Sequence, residues 1–168
     1  MRPIARAALC LNLSLLPLAL AAPPALADTG PASTGPASTG TASITHPARL
    51  AGSAVAQALA GAAAHHSTDA KGVAVADLPQ LHSADRKFMS GAYAVAGPNQ
   101  ETFTGEGYPV NEFMVFLEGG VTLTSADGTV LAVRAGDSVS IPKGWLGTWS
   151  SPGYRKFYVI YDPDNPVE

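Results

Sequence analysis

Residues 112–144 read EFMVFLEGGVTLTSADGTVLAVRAGDSVSIPKG, and this stretch decides the fold. Apolar and polar residues alternate in 121–124 and in Ser138–Ile141, which is the period of a strand with one buried face. Asp127-Gly128, between two such runs, indicates a hairpin because both residues tolerate a positive φ. The stretch therefore predicts short antiparallel strands joined by tight turns.

Runs with the same period extend the pattern on both sides and are separated by Gly, Pro and Asp-Gly. Many short strands at regular spacing are typical of a sandwich or a barrel, so the chain is predicted to be all-β from Lys71 onward. Because residues 113–117 are apolar throughout, we expect cover on both faces, from the N-terminal segment or a second copy of the chain. The predicted strands are 73–75, 88–96, 102–103, 113–117, 121–125, 130–134, 138–141, 147–149 and 156–161.

Three glycines have separate predicted roles in the turns of this β region. Gly119 is expected to end a central strand in a tight turn. Gly136 is expected to begin the turn before Asp137, and Gly144 to let the chain reverse after Pro142. All three predictions rest on the freedom of glycine to adopt backbone conformations that other residues avoid.

The first 27 residues have the composition of an export signal. Arg2 and Arg6 precede an apolar run at 7–22, and Ala25-Leu-Ala27 is a small-x-small cleavage site. The run contains Asn, Ser and Pro and is short for a membrane span, so we expect cleavage and no stable span afterwards, with a membrane anchor as the alternative. The mature protein is predicted to be periplasmic or secreted, and it would lack the only cysteine, Cys10.

The rest of the chain divides into three predicted segments. Residues 28–48 contain an imperfect Thr-Gly-Pro-Ala-Ser repeat, whose lack of large apolar side chains predicts a disordered linker. Residues 49–70 are an Ala-rich segment in which 49–64 are predicted to form a short helix, and His65-His66 follow that helix as an exposed polar pair rather than metal ligands. Residues 71–168 are predicted to form the β domain.

Charge patterning argues against nucleic acid as a partner. The formal net charge is −3, and no basic cluster is longer than Arg86-Lys87 or Arg155-Lys156. We expect Arg155-Lys156 at a solvated strand edge, where charges discourage pairing with other chains. Lys143, which follows a proline in a turn, is expected to be exposed.

Two spaced patterns resemble the two cupin motifs: Glu112 with Gly119, and Gly136 with Pro142-Lys-Gly144. More narrowly, residues 78–162 resemble ureidoglycine aminohydrolase-type cupin domains, a similarity carried by 108–112, 142–144, 147–149 and 155–161. The resemblance implies a single cupin-type β-barrel, a jelly-roll-like double sheet, following the signal peptide, linker and helix. It also implies a homodimer.

The histidines that hold a divalent metal in most cupins are missing from these motifs. Glu112 falls on the ligand glutamate, while the His-x-His positions fall on Glu106 and Tyr108, or on Gly105 and Gly107. The histidine of the second motif falls on Gly147. We therefore predict a metal-free domain without a cofactor. The alternative is a metal held by non-standard ligands, for which the candidates are Glu112, Glu106, Tyr108 and His82.

Two interpretations of Glu112 stay open. It is either a carboxylate in the barrel lumen, suited to proton transfer or to a cationic or amide ligand, or a structural acid bonded to Tyr108, Trp149 or backbone amides. Aromatic side chains at a barrel mouth give a ligand apolar contact with a polar handle, although they also pack ordinary cores. The candidate ligand-binding residues are Glu112, Tyr108, Met114, Trp145, Trp149 and Tyr158.

These observations predict an exported, metal-free cupin-domain protein that binds a small molecule in its lumen. One alternative is a metal-dependent enzyme of the ureidoglycine aminohydrolase type, which rests on the resemblance alone. The other is a dimeric module that recruits another protein without chemistry. The sequence leaves the ligand and any reaction unnamed.

Overall fold

The structure, a computed structural model, describes residues 47–167. The predicted export signal, Cys10 and nearly all of the predicted linker lie outside the described residues. A short 3-10 turn at Gly52–Ala54 leads into the helix α1, Val55–Ala60, and eight strands follow. These are β1 His65–Thr68, β2 Ala74–His82, β3 Phe88–Val95, β4 Asn99–Phe103, β5 Asn111–Ser125, β6 Val130–Arg134, β7 Ser138–Ile141 and β8 Gly147–Tyr161.

All strand pairs are antiparallel, in the order β1-β2-β3-β8-β5-β6. The long strands β5 and β8 pair with each other and also change their second partner along their length. Strand β8 pairs first with β4 and then with β3, while β5 pairs first with β7 and then with β6. This arrangement confirms the predicted mostly-β architecture with one short helix, and it is consistent with a barrel.

Both long strands were predicted as two shorter ones, and the role assigned to Gly119 is wrong. Gly119 lies within β5 at a positive φ of 65°, beside a register shift against β8. A Cβ at this position would collide with the carbonyl oxygen of Gly153, across the sheet. Close approach of two backbones, rather than a chain reversal, is the reason for this glycine.

The other predicted turns are present. At Asp127-Gly128 the amide of Ser125 donates to the carbonyl of Thr129, and Gly128 has a φ of 88°. Gly136 and Gly144 also have positive φ, and both lie in turns between strands. The alternation in 121–124 and in Ser138–Ile141 places Val121, Leu123, Val139 and Ile141 inward, as predicted.

The helix packs on the outer face of the sheet. Val55 and Leu59 form a cluster with Ala92, against which Leu117 and Phe157 pack. The N-terminal segment therefore covers one end of 113–117, while the other end is open because Phe113 is 46% exposed. The expectation of cover on both faces is met only in part.

The sheet begins at His65, inside the segment predicted as helical. Strand β1 carries His65 and His66 and pairs with β2 from His65 opposite Asp77 to Thr68 opposite Ala74. All four β1 residues are exposed, so backbone pairing rather than burial holds this strand. Within residues 47–167, no helix has the length and apolar character needed to cross a membrane.

Candidate functional site

A cavity of about 520 Å³ opens between the inner faces of β2, β3 and β8, with β4 and the loop after β1 at its mouth. This volume lies within the usual range for small-molecule pockets. Its wall combines apolar and aromatic side chains with a small number of charged ones. The residues that line it are Ser67, Thr68, Asp69, Ala70, Lys71, Val75, Asp77, Met89, Tyr93, Val95, Asn99, Gln100, Glu101, Phe103, Tyr108, Pro109, Glu112, Trp149, Tyr154, Lys156, Tyr158 and Ile160.

A buried ion pair forms part of this wall. The ammonium of Lys156 lies 2.7 Å from Oε1 of Glu112, and the hydroxyl of Tyr108 donates a hydrogen bond to Oε2. Both oxygens of the carboxylate therefore have a donor. Because a buried carboxylate is costly without a partner, this pairing is what allows Glu112 to lie in the lumen.

Aromatic rings surround the same ammonium. Nζ of Lys156 lies 5.3 Å from the ring centroid of Trp149, 5.5 Å from that of Tyr93 and 5.7 Å from that of Tyr154. Sδ of Met114 lies 3.6 Å from it. Aromatic faces attract cations, so the rings offset part of the desolvation of this charge.

The expectation that Arg155-Lys156 forms a solvated edge is therefore wrong for Lys156. Side chains alternate along β8, so Tyr154, Lys156 and Tyr158 face the cavity while Arg155 faces outward. Arg155 pairs with Glu118, which is exposed. Strand β8 also has neighbours on both sides here and is not an edge.

A second polar contact lies beside the ion pair. The hydroxyl of Tyr158 donates to Oδ1 of Asp77 at 2.9 Å. The tyrosine ring crosses strand β3 at Gly91, where a Cβ would lie only 2.6 Å from the Tyr158 hydroxyl and 2.5 Å from the carbonyl oxygen of Leu78. Gly91 thus provides the space through which Tyr158 reaches Asp77.

Burial shapes the ionisation of the cavity wall. It raises the pKa of Tyr93 to about 12, and it raises the pKa of Tyr108 and Tyr154 well above the usual range. Burial also raises the pKa of Glu101. For Asp77, burial outweighs the hydrogen bond from Tyr158 and raises the pKa. The tyrosines are therefore neutral hydroxyls at physiological pH.

The structure places four of the six predicted ligand-binding residues in the cavity wall. These are Glu112, Tyr108, Trp149 and Tyr158. Met114 is fully buried beneath Lys156. Trp145 lies behind the wall, where its Nε1 donates to Oγ of Ser125 at 3.0 Å and its ring packs against Phe103 and Tyr108.

The residues proposed for a non-standard metal site do not converge. Glu106 is exposed, and neither Glu106 nor His82 lines the cavity, so Glu112 and Tyr108 are the members of that set that meet. The ammonium of Lys156 occupies the space beside Glu112 where a cation would coordinate. Gly147 has no room for a histidine, because a Cβ there would collide with Trp145 and with the Thr124 carbonyl. A divalent metal does not fit this donor set.

Comparison with known protein families agrees with the fold described above. A model of the EutQ-like cupin domain matches residues 88–158. This segment is a cupin domain of the EutQ-like type. No curated protein matches the chain.

Three solved structures illustrate what this chain is similar to. A protein of unknown function from Pseudomonas syringae pv. tomato is 22% identical and has a TM-score of 0.51, covering 58% of this chain and 43% of its own. A protein of unknown function from Rhizobium leguminosarum bv. viciae is 20% identical with a TM-score of 0.47, covering 73% and 100%. The EutQ protein of Clostridium difficile is 20% identical with a TM-score of 0.43, covering 55% and 71%.

Sequence reasoning missed Lys156, Asp77 and Glu101 as cavity residues. A signal for Lys156 was available, because alternation in the predicted strand 156–161 places it on the face of Tyr158 and Ile160. Asp77 and Glu101 had no comparable signal. Their positions depend on how β2 pairs with β3 and β4 with β8.

Proposed function

We propose that this exported cupin-domain protein binds a small organic molecule in its cavity without a bound metal. The observation that supports the proposal is the open cavity of about 520 Å³ whose wall contains the buried Glu112–Lys156 pair among aromatic rings. Pockets of this size with a small number of polar groups in an apolar wall are typical of ligand sites. Without a ligand to orient, a buried ion pair has no general advantage in stability over an apolar pair.

The two tryptophans of the chain provide a direct test. The indole of Trp149 lines the cavity, whereas that of Trp145 lies behind the wall and is bonded to Ser125. We expect fragments that enter the cavity to shift the ¹H–¹⁵N indole signal of Trp149 more than that of Trp145. The variant Trp145→Phe assigns the two signals. If no fragment of any charge shifts the Trp149 signal in the folded protein, the proposal is wrong.

Export is the second part of the proposal and rests on the sequence of residues 1–27. Expression of the whole chain in a Gram-negative host should yield a periplasmic or secreted product that begins at Asp28. Intact mass measurement of the fractionated protein checks this. An uncleaved chain that stays with the membrane would instead support the anchor.

The metal-dependent alternative, an enzyme of the ureidoglycine aminohydrolase type, has less support from this site. Lys156 takes the place beside Glu112 that a metal would need, and Glu106 does not line the cavity. Elemental analysis of protein purified without chelators tests it. A stoichiometric transition metal that Glu112→Gln removes would favour this alternative over our proposal.

A homodimer is supported by the outer face of β5 and β8. Phe113 is 46% exposed and Tyr161 is 48% exposed, and both lie on a shallow groove with Pro142 and Val159. Exposed apolar surface of this kind is typical of interaction sites. Sedimentation should show a dimer that Phe113→Ser weakens, while Leu81→Ser, an exposed residue on β2, leaves it unchanged. A monomeric wild-type protein would remove this proposal.

A further inference from the structure

The charges of the cavity wall are unequal. Four carboxylates line it, but only two ammonium groups do, those of Lys71 and Lys156. Lys156 is paired with Glu112. At the mouth, Asp69 accepts hydrogen bonds from the backbone amides of Lys71 and Val73, so it holds the turn in which Lys71 lies. The wall therefore carries an excess of negative charge that its own lysines do not balance.

Asp77 and Glu101 hold this excess. Among residues 47–167, neither carboxylate has a Lys, Arg or His side chain within ion-pair distance. Burial removes part of the water around each carboxylate and raises the pKa of both, while the nearby charges of His65 and Lys156 act on Asp77 in the opposite direction. A cation bound beside them would reverse that loss.

The aromatic part of the wall already accommodates an ammonium group. Tyr93, Trp149 and Tyr154 surround Nζ of Lys156 at 5.3 to 5.7 Å from their ring centroids. Phe103 and Tyr108 extend the aromatic surface, with their own rings 4.9 Å apart. Such faces favour organic cations, and they also contact the apolar body of a ligand.

Two buried polar atoms of cavity residues lack a hydrogen-bond partner in the described part of the chain. They are Nε1 of Trp149, a donor on a side chain that is only 4% exposed, and Oδ1 of Asn99, an acceptor. Buried polar atoms are rarely left unpaired, so each such atom needs an explanation. A ligand with an N–H donor and an oxygen acceptor would pair both.

An anionic ligand is the main competitor, because it could approach Lys156. Its charge would, however, meet an ammonium already neutralised by Glu112 at 2.7 Å, and it would face Asp77 and Glu101 as well. Like charges at short range in a partly dry cavity repel strongly. The wall therefore disfavours anions.

We infer that the ligand of this cavity is a small organic cation that carries an oxygen acceptor, bound between Asp77, Glu101 and the aromatic wall. This inference rests on the proposed function and names its ligand class. The charge of the ligand is then recognised by Asp77 and Glu101 rather than by Glu112, whose carboxylate is already bonded to Lys156 and Tyr108.

Three probes of nearly equal size separate the charge types: 2-phenoxyethylamine, 2-phenoxyethanol and phenoxyacetate. All three have an ether oxygen, and they are cationic, neutral and anionic at pH 7. Titrations followed by the Trp149 indole signal should show the amine binding about tenfold more tightly than either of the others, a difference that corresponds to one decade in Kd. Equal affinities, or phenoxyacetate as the tightest ligand, would overturn the inference but leave cavity binding intact.

If none of the three probes binds, the inference is tested by the charge of the library fragments that do shift the Trp149 signal. A set of hits dominated by cations supports the inference, and one dominated by neutral or anionic fragments contradicts it. A library without any hit contradicts both the inference and the proposed function.

Variants assign the effect to the two carboxylates. Glu101→Gln and Asp77→Asn should each lower the affinity for the amine by about fivefold or more while changing that for 2-phenoxyethanol little, because each removes one charge and keeps an acceptor. Glu106→Gln is the matched control, since Glu106 is a nearby glutamate that, unlike Glu101, does not line the cavity. If Glu101→Gln and Glu106→Gln behave alike in the folded protein, the inference fails.

Discussion

Two consecutive residues of β8 form two ion pairs on opposite faces of the sheet. Lys156 and Glu112 pair inside, where their side chains are 7% and 4% exposed, while Arg155 and Glu118 pair outside, at 23% and 63% exposure. A buried ion pair is costly to break because the partner left behind is a charge without water, whereas a surface pair is screened and replaced by solvent. The face of the sheet on which an ion pair lies therefore decides how much stability is lost when the pair is broken.

The largest expected effect follows from breaking the inner pair. Lys156→Met should lower the free energy of unfolding by about 3 to 5 kcal/mol, because it leaves Glu112 buried without a counter-charge. Urea denaturation followed by fluorescence measures the change. Adding Glu112→Gln to Lys156→Met should recover much of the loss, and a double variant as unstable as the single one would contradict the role of the unpaired charge.

A second change separates packing from charge on the inner face. Gly91→Ala places a methyl group against the Tyr158 hydroxyl and the Leu78 carbonyl, so we expect a loss of about 1 to 3 kcal/mol although no charge is touched. Denaturation measures it. Gly97→Ala is the control, because the nearest atom to its Cβ is 3.5 Å away in Val73. Equal effects of the two variants would show that Tyr158 adapts without strain.

A third ion pair is intermediate in solvent exposure between the inner and the outer pair. Lys143 lies 2.8 Å from Asp162, with side-chain exposures of 32% and 5%, and 2.9 Å from the exposed Asp164. Burial alone would raise the pKa of Asp162, but hydrogen bonds from Lys143, the Asp164 amide and Asn165 outweigh it and lower the pKa to about 2, from an ordinary value of 3.8. The folded state therefore favours the ionised carboxylate.

The stability that Asp162 contributes is fully present above its unfolded pKa and is lost as the pH falls through its folded pKa. The difference in Tm between wild type and Asp162→Asn should therefore be constant above about pH 5 and shrink between about pH 4 and pH 2. Thermal unfolding at each pH measures it. Asp164→Asn should show a smaller difference throughout, and a gap for Asp162→Asn that stays constant down to pH 2 would contradict the assignment.

The smallest effect is expected at the outer pair. Arg155→Met should change the free energy of unfolding by no more than about 1 kcal/mol, because Glu118 is 63% exposed and is hydrated by solvent once the guanidinium is removed. Denaturation under the conditions used for Lys156→Met gives a direct comparison between neighbouring residues. Similar losses for both variants would remove the distinction between the two faces.

Features that depend on neighbouring residues were predicted from the sequence, and those that depend on distant strands were not. The turn at Asp127-Gly128 and the inward positions of Val121 and Leu123 follow from local conformation and period, so both were predicted. Gly119 was misplaced because its role depends on Gly153, which lies opposite it on β8. A glycine that permits close approach has the same sequence signature as a glycine in a turn.

The candidate site also combines one contact that the sequence predicted with others that it did not. Glu112 and Tyr108 are four residues apart, and the sequence was sufficient to bring them together. Lys156 is 44 residues from Glu112 and reaches it only because β5 and β8 are paired with their inner faces toward one cavity. Because Lys156 follows another basic residue, Arg155, the sequence favoured a side chain exposed to solvent. The alternation of side chains along β8 and the aromatic neighbours place it inside the cavity instead.

The sequence by itself determined the β-rich character of the chain after Lys71, most of the turns, the resemblance to cupins and the loss of the metal-binding histidines, because these depend on residue type and short spacing. Only the tertiary structure decided which charges share the cavity: Lys156 beside Glu112, Tyr158 reaching Asp77 past Gly91, and Glu101 on β4 opposite Trp149. The physical reason is that burial and pairing of a charge depend on the register between strands far apart in the chain. That register converts an unexplained glutamate into one half of an ion pair and places Asp77 and Glu101 in the wall of the same cavity.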